Sequence, residues 1–170
     1  TLVSINDFHG YLQPPEGEIE TAEQTLQAGG ISQMSAYIDK LREKRQHLYF
    51  VSSGDLVGAS PLISSAFNDE PTIEALNKMN LVASAVGNHE FDEGVKELQR
   101  LQSGGCHPED GCEFSDSYEG ADFQYLAANV VDRESGDPIF PSYVIKEVDG
   151  IEVGFVGLVT RETNSLVMPS

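Results

Sequence analysis

Three short apolar runs, at residues 2–5, 48–51 and 81–86, each end at a polar turn that contains Asp or Asn. Apolar residues at helical spacing separate these runs, most clearly between Ile31 and Leu41. When strands alternate with helices, each helix returns the chain to the same edge of the sheet, and the strands pair in parallel. The sequence therefore predicts an α/β fold in which the polar turns gather where the strands end.

The rest of the 170-residue chain completes one domain with an ordinary hydrophobic core. The further expected elements are helices at 71–79 and around 95–101, loops at 11–28 and 103–121, and strands at 123–131, 142–148 and 151–159. In the second of these helices, Val95, Leu98 and Leu101 should share one buried face. Asp149-Gly150, between the last two strands, is a dipeptide that favours a type I′ hairpin turn.

The first polar turn, residues 6–10, places Asp7 and His9 on either side of Phe8. Alternate residues of an extended segment point the same way. One carboxylate oxygen and one imidazole nitrogen could therefore reach a single cation, while Phe8 turns into the core. The structural alternative is an Asp that begins a turn and a His that faces solvent.

The second polar turn holds Asp55 within Gly54-Asp55-Leu56-Val57-Gly58. Glycines let the backbone turn sharply and come close to a bound ion. Because a carboxylate has two oxygens, Asp55 could bridge two metal ions. The structural alternative is an ordinary turn after a strand, in which Gly and Asp are common.

The third polar turn, residues 87–92, reads Gly-Asn-His-Glu-Phe-Asp and is the most specific of the three. Asn88 offers a neutral oxygen ligand, and His89 could act as a general acid or a hydrogen-bond donor. Asp92 is close enough, after a turn, to hold the His89 ring and favour its protonated form. The alternatives are that Asp92 caps the following helix and that His89 is a satisfied turn residue.

The charge balance excludes several classes of partner. The formal net charge is −18, from 28 acidic and 10 basic residues, so broad contact with nucleic acid or an anionic membrane surface is not expected. A phosphate ester could still bind where metal ions supply positive charge. No apolar run approaches the roughly 20 residues of a membrane-spanning helix, and residues 2–5 read as a strand rather than a signal peptide, as in a mature or trimmed chain.

The two cysteines, Cys106 and Cys112, enclose a short loop that contains His107. A disulfide would staple this loop and indicate an oxidising compartment, which is extracellular, periplasmic or at the cell surface. Zinc binding by the two cysteines and His107 is the alternative, but the spacing matches no common zinc finger and a fourth ligand is missing. The disulfide is the favoured interpretation.

Taken in order, the three polar turns resemble those of the calcineurin-type metallophosphoesterases, whose motifs are Asp-x-His, Gly-Asp-x-x-Gly and Gly-Asn-His-Glu. Residues 6–10 and 87–92 are most similar to the 5′-nucleotidase branch, which includes UDP-sugar hydrolases and 2′,3′-cyclic-nucleotide phosphodiesterases. The resemblance runs from residue 1 to about residue 160. It implies a four-layer α/β/β/α sandwich with mixed sheets and two divalent metal ions, such as Zn²⁺ or Mn²⁺.

The resemblance also implies the roles of individual residues. Four would be metal ligands: Asp7 and His9 for one ion, Asp55 for both, and Asn88 for the second. His89, paired with Asp92, would stabilise the transferring phosphoryl group or its leaving oxygen, while a metal-activated water attacks phosphorus. The implied function is hydrolysis of phosphate monoesters, foremost 5′-nucleotides, with a related phosphodiesterase or UDP-sugar hydrolase as the alternative.

The chain departs from the family pattern because the later histidine ligands have no counterpart in it. Its remaining histidines are His47, expected to be a cation at a helix end, and His107, expected to be a loop residue. Residues 1–170 are therefore expected to be the N-terminal part of a catalytic domain, without the C-terminal nucleotide-recognition domain. The remainder of the polypeptide would complete the site, and the isolated chain would be nearly inactive. A non-catalytic secreted binding module on the same scaffold is the rival of another class.

Overall fold

The computed structural model describes residues 1–16, 18–26 and 28–167. Its strands and helices follow one another along the chain in this order: β1 (Leu2–Ile5), β2 (Ile19–Glu20), β3 (Thr25–Leu26), α1 (Ile31–Lys44), β4 (Tyr49–Ser52), α2 (Leu62–Ser65), α3 (Glu70–Lys78), β5 (Leu81–Ala85), a 3₁₀ turn (His89–Phe91), α4 (Gly94–Ser103), β6 (Gln124–Leu126), β7 (Tyr143–Val148), β8 (Ile151–Val156) and α5 (Thr163–Leu166). No helix within the described residues combines the length and the apolar character that a membrane crossing requires.

The central sheet has four parallel strands in the order β1-β4-β5-β6. This arrangement confirms the α/β class predicted from the alternation of strands and helices. Because the strands are parallel, the carboxyl ends of β1, β4 and β5 meet at one edge of the sheet. The three polar turns leave the sheet at that edge.

The hydrophobic core lies between this sheet and the long helices. Ile73 and Leu76 of α3 and Leu98 of α4 are fully buried, as are Phe50 and Tyr125 of the sheet. Burial of each apolar side chain of this size contributes about 1.5–3 kcal/mol. The core therefore provides the rigid base on which the polar turns are held.

The predicted buried face of α4 is right at two positions and wrong at a third. Leu98 and Leu101 are buried, but Val95 is 40% exposed. The helix begins at Gly94, so Val95 lies in its first turn, beyond the reach of the core.

Strands β7 and β8 form the expected antiparallel hairpin. Asp149 and Gly150 both have positive φ angles, 51° and 76°, as a type I′ turn requires. The hairpin is a separate two-stranded sheet. Strands of both orientations are therefore present in the described residues, but in separate sheets and not mixed within one.

Several short elements differ from the sequence-based expectation. The segment 11–28, expected to be a loop, contains the small antiparallel pair β2–β3, and α2 was not expected at all. Residues 17 and 27 of that segment lie outside the described residues. Elements of two to four residues are too short to show a periodic pattern, which is why the sequence did not predict them.

Strand β6 is shorter than the predicted span 123–131, because its backbone changes partners after Leu126. The Ala127 N–H donates to the Pro141 carbonyl at 3.0 Å, and the Ala128 N–H donates to the Gly157 carbonyl at 2.8 Å. These bonds tie the chain to the segments that flank the hairpin. Strand β8 likewise ends at Val156, short of the predicted residue 159.

The insertion at 103–121 carries the predicted disulfide. Cys106 and Cys112 are bonded to each other, which confirms the disulfide and excludes the zinc alternative for these thiols. The base of the insertion is anchored by Tyr118, which is 3% exposed and whose hydroxyl donates to the Leu101 carbonyl at 2.7 Å. The guanidinium of Arg100 lies over the Tyr118 ring, 5.1 Å from its centroid.

Candidate metal centre

The first polar turn lies directly on the second. The Asp7 N–H donates to the Gly54 carbonyl at 3.1 Å, and the His9 N–H donates to the Asp55 carbonyl at 3.0 Å. These bonds continue the pairing of β1 with β4 beyond the ends of both strands. They fix the backbone of Asp7 and His9 relative to that of Asp55.

The backbone at these three residues is left-handed. The φ angles are 52° at Asp7, 46° at His9 and 52° at Asp55. Such conformations cost non-glycine residues on the order of 1–3 kcal/mol each. The expectation that Asp7 and His9 share a direction because the segment is extended is therefore wrong; they are brought together by a tight left-handed turn. Phe8, between them, is half-buried and packs against the core as expected.

The first and second polar turns bring three potential ligands together. One donor atom from each of Asp7, His9 and Asp55 lies within 4.8 Å of the others. His9 Nδ1 is 2.8 Å from the Gly58 carbonyl oxygen. Because a carbonyl only accepts, Nδ1 is the nitrogen that donates, and Nε2 is the nitrogen directed away from this bond. Nε2 lies 4.0 Å from Asp7 Oδ1, and the Asn6 amide donates to the other oxygen of Asp7.

The third polar turn adds His89 to this group. The backbone N–H of His89 donates to Asp55 Oδ1 at 2.9 Å, which fixes the orientation of that carboxylate. The rings of His9 and His89 are 4.9 Å apart and nearly perpendicular. Asn88 precedes His89 at the start of the 3₁₀ turn and is half-buried; its role as a ligand stays a prediction.

His89 and Asp92 form a close pair, with Nδ1 of the ring 2.8 Å from Asp92 Oδ2. The hydrogen bond to Asp92 raises the pKa of His89 above 6.5, against the opposing effect of partial burial. The alternative in which Asp92 caps the next helix is wrong, because Glu93 is the N-cap residue of α4. The pair leaves Nε2 of His89 as the nitrogen that can face a substrate.

Glu90 is the residue that sequence reasoning missed. Its side chain is 3% exposed, and its carboxylate accepts three backbone N–H groups, those of Asp55, Leu56 and Gly87. Burial raises the pKa of Glu90 to about 7, although the three N–H groups oppose this effect. The available signal was an acidic residue directly after His89, within the most specific motif.

Gly87 allows the second and third turns to come into contact. A Cβ atom at this position would lie 2.7 Å from Cγ of Asp55 and 2.7 Å from its backbone nitrogen. Ordinary carbon contacts begin at 3.4 Å. A side chain at position 87 would therefore displace the candidate bridging carboxylate.

The other two histidines have different surroundings. His47 Nε2 is 3.0 Å from Asp149 Oδ1, so it contacts the β7–β8 turn and lies beyond the end of α1. His107 lies in the disulfide loop, as expected. Its ring also lines a small cavity, of about 130 Å³, that reaches His89 and Asp92.

Comparison with known proteins identifies the family. The profile of the calcineurin-like phosphoesterases matches residues 1–153. The chain belongs to the calcineurin-like phosphoesterase family. The predicted resemblance is thereby confirmed, and so is the fold class, because solved phosphoesterase structures share this α/β architecture.

Three relatives of this phosphoesterase chain show the range of the family. A protein of Acinetobacter calcoaceticus, described as an uncharacterized protein in the pqq-V 5′ region, is 42% identical over 88% of this chain and 79% of its own length. The endonuclease YhcR of Bacillus subtilis is 35% identical over 99% of this chain but only 14% of its own length. A 5′-nucleotidase of Vibrio vulnificus is 28% identical over 99% of this chain and 27% of its own length.

The NAD nucleotidase NadN of Haemophilus influenzae has a similar fold, with a TM-score of 0.75 and 28% identity. The match covers 96% of this phosphoesterase chain and 27% of NadN. The chain thus spans about a quarter or less of the length of the endonuclease and the two nucleotidases.

The residues present suit a divalent cation. Calcineurin-like phosphoesterases use such cations, and the cluster offers two carboxylates and one imidazole ring. This donor set suits Zn²⁺ or Mn²⁺ and contains no thiolate that would select a softer ion.

Proposed function

We propose that this protein hydrolyses phosphate monoesters, with 5′-nucleotides as the main substrates, at a site for two divalent metal ions. One observation carries the proposal: Asp7, His9 and Asp55 converge from two separate turns, and the His89–Asp92 pair lies against them. A carboxylate and imidazole cluster beside an oriented histidine is suited to phosphoryl transfer.

Each side chain has a proposed part in the reaction. The ligands are Asp7 and His9 for one ion, Asp55 for both and Asn88 for the second. Bound divalent cations would lower the pKa of water and neutralise charge that develops on the phosphoryl group. Asp92 holds Nδ1 of His89, so that Nε2 donates a hydrogen bond to a phosphoryl oxygen or a proton to the leaving oxygen. The raised pKa of His89 favours the protonated form that this donation needs.

The substrate class is supported by the relatives and by electrostatics. Two of the similar proteins are named as nucleotidases. A small phosphate ester can bind at a cation site even though the chain carries a net charge of −18. A long polyanion would be repelled by that negative charge over a wide surface.

Phosphodiester hydrolysis is a second candidate. The relative with 35% identity over 99% of this chain is named as an endonuclease. A cyclic nucleotide or another diester could use the same metal ligands, since a diester differs from a monoester by one further ester group that stays on phosphorus when the P–O bond breaks. Substrates of both classes therefore belong in the assay.

The compartment and the domain boundary are further parts of the proposal. A disulfide between Cys106 and Cys112 suits an oxidising compartment, and one relative is named as a cell wall protein of Listeria monocytogenes. We place the protein outside the cytoplasm, in the periplasm, at the cell surface or in the medium. Residues 1–170 would form the N-terminal part of the catalytic domain, and further metal ligands and the base-binding residues would come from elsewhere in the polypeptide.

The test measures phosphate release from AMP, and it follows the ring-opened nucleotide formed from a 2′,3′-cyclic nucleotide by chromatography and the cleavage of DNA by gel electrophoresis. Each reaction is run with Mn²⁺ or Zn²⁺ and with a chelator. The test is run on the 170-residue chain and on the longest natural polypeptide that contains it. We expect AMP to be hydrolysed by the longer polypeptide, and Asp55→Asn and His89→Asn to lower kcat/KM by about 10²-fold or more. Asp39→Asn, at an exposed position of α1, is the matched control and should leave activity unchanged. A longer polypeptide that binds no cation and releases no phosphate would refute the proposal.

A further inference from the structure

The carboxylate of Glu90 joins two of the polar turns. Oε1 accepts the N–H of Leu56 at 2.7 Å, and Oε2 accepts the N–H groups of Asp55 at 2.9 Å and Gly87 at 2.5 Å. The first two donors belong to the turn after β4, and the third belongs to the turn after β5. One buried side chain therefore holds both turns.

Few side chains can replace this carboxylate. Three N–H groups that converge need acceptors on both terminal atoms, and an ionised carboxylate is the side chain that offers acceptors only. A glutamine of the same shape would turn an NH₂ donor toward at least one of the three N–H groups. Because the site is buried, an unpaired backbone donor there costs about 1–3 kcal/mol.

The position of Glu90 matters because of the residues that it holds. It bonds the backbone of Asp55, the candidate bridging ligand, and the backbone of Gly87, which is next to Asn88. A second hydrogen bond joins the same two turns: the His89 N–H donates to the side-chain oxygen Oδ1 of Asp55 at 2.9 Å. The same carboxylate therefore bonds the backbone of Asp55 and the backbone of the residue that precedes Asn88.

We propose that Glu90 is a positioning residue that sets the relative placement of Asp55 and Asn88, and so tunes the affinity of the site for divalent cations. This inference rests on the proposed function, because it assumes that Asp55 and Asn88 are ligands. A purely structural role for Glu90 predicts a less stable protein with normal cation binding. A positioning role predicts weaker cation binding in a protein that is still folded.

The test compares three variants by Mn²⁺ titration at a fixed pH, followed by equilibrium dialysis and by electron paramagnetic resonance. Glu90→Gln keeps the shape but replaces one acceptor atom. Glu90→Asp keeps the negative charge but draws the carboxylate back by one methylene group. Glu93→Gln removes a charge from an exposed position three residues away and is the matched control.

We expect Glu90→Gln and Glu90→Asp each to weaken Mn²⁺ binding by about 10- to 100-fold, as loss of a group that orients metal ligands does. Glu93→Gln should bind as the unaltered protein does. Weaker Mn²⁺ binding by Glu90→Asp would show that the position of the carboxylate matters, since this variant keeps the carboxylate and only moves it. Circular dichroism at the titration temperature establishes that each variant is folded.

The outcomes distinguish a failure of the inference about Glu90 from a failure of the proposed function. If the unaltered protein binds Mn²⁺ and a folded Glu90 variant binds it equally tightly, the inference about Glu90 is wrong and the proposed function stands. If the unaltered protein and its longer natural polypeptide bind no divalent cation, the proposed function itself fails. Should Glu90→Gln not fold, Glu90→Asp decides: normal affinity overturns the inference, and weakened affinity supports it.

Discussion

Replacement of Gly87 by alanine tests whether the close contact between two turns maintains the candidate site. The added Cβ would lie 2.7 Å from Cγ and from the backbone nitrogen of Asp55, whereas ordinary contacts begin at 3.4 Å. The Asp55 carboxylate must therefore retreat by roughly 0.7 Å or more. Overpacking of this kind costs about 1–3 kcal/mol of stability. A displaced ligand should also lower divalent-cation affinity by about 10- to 100-fold.

Two other glycines provide controls. One tests substitution without a steric clash, and the other tests a clash that lies away from the candidate ligands. At Gly154, in β8, an added Cβ would meet no atom within 4 Å, so Gly154→Ala should change neither stability nor cation affinity appreciably. At Gly157 an added Cβ would lie 2.5 Å from Cβ of Leu126, away from the candidate ligands. Gly157→Ala should therefore lose stability as Gly87→Ala does, while its cation affinity stays unchanged.

The assay is Mn²⁺ binding by isothermal titration calorimetry, with urea unfolding of the same samples without added metal. The reasoning requires that only Gly87→Ala loses cation affinity, and that Gly87→Ala and Gly157→Ala both lose stability. If Gly87→Ala bound Mn²⁺ as tightly as the unaltered protein does, Asp55 would not be a ligand in this geometry. If Gly157→Ala lost affinity to the same extent, general loosening of the fold would explain both results.

Two further predictions concern charged pairs. In the metal-free protein, nuclear magnetic resonance titration should give His89 a pKa above 6.5. Asp92→Asn should lower this pKa, because the hydrogen bond that the His89 ring donates to Asp92 is the main cause of the rise. The stability that this pair contributes is then complete below pH 6.5 and is lost as the pH rises through the folded-state pKa. Arg100→Met should cost about 3–5 kcal/mol in urea unfolding, because Glu70, 2% exposed and 2.6 Å from Arg100 Nη1, would keep a buried charge without its partner. Lys78→Met changes a side chain that is 80% exposed and should alter stability by less than about 1 kcal/mol. Equal losses in both variants would contradict this account.

The sequence was sufficient to predict the long elements and the meeting of the polar turns. Helix α1 is long enough, and strand β4 apolar enough, for the spacing of apolar residues in a single sequence to reveal them. The parallel sheet follows from the alternation of strands and helices. Once the strands are parallel, the turns after β1, β4 and β5 must lie at one edge. The gathering of Asp7, His9 and Asp55 at this edge follows from that order.

The local geometry of the turns could not be predicted in the same way. The extended conformation expected at Asp7 and His9 is wrong, because their positive φ angles depend on hydrogen bonds to the turn after β4, which is far away in the sequence. The role of Glu90 was missed for the same reason, since two of its three donors come from residues more than 30 positions earlier. Sequence patterns report on residues that are close along the chain, whereas these features depend on contacts between residues that are far apart in the sequence.

The distribution of unfavourable choices argues that the three turns are maintained for binding and not for stability alone. Asp7, His9 and Asp55 occupy a backbone region that glycine would adopt at lower cost, and the carboxylate of Glu90 is buried against the backbone of Asp55. A turn that served only to connect strands would gain stability from glycine at the first three positions. The side chains instead bring oxygen and nitrogen donors to one point, and the buried core of Phe50, Ile73 and their neighbours offsets the cost. Local rules are expected to fail at functional sites, and Asp7, His9 and Asp55 combine an unfavourable backbone with donor atoms that converge.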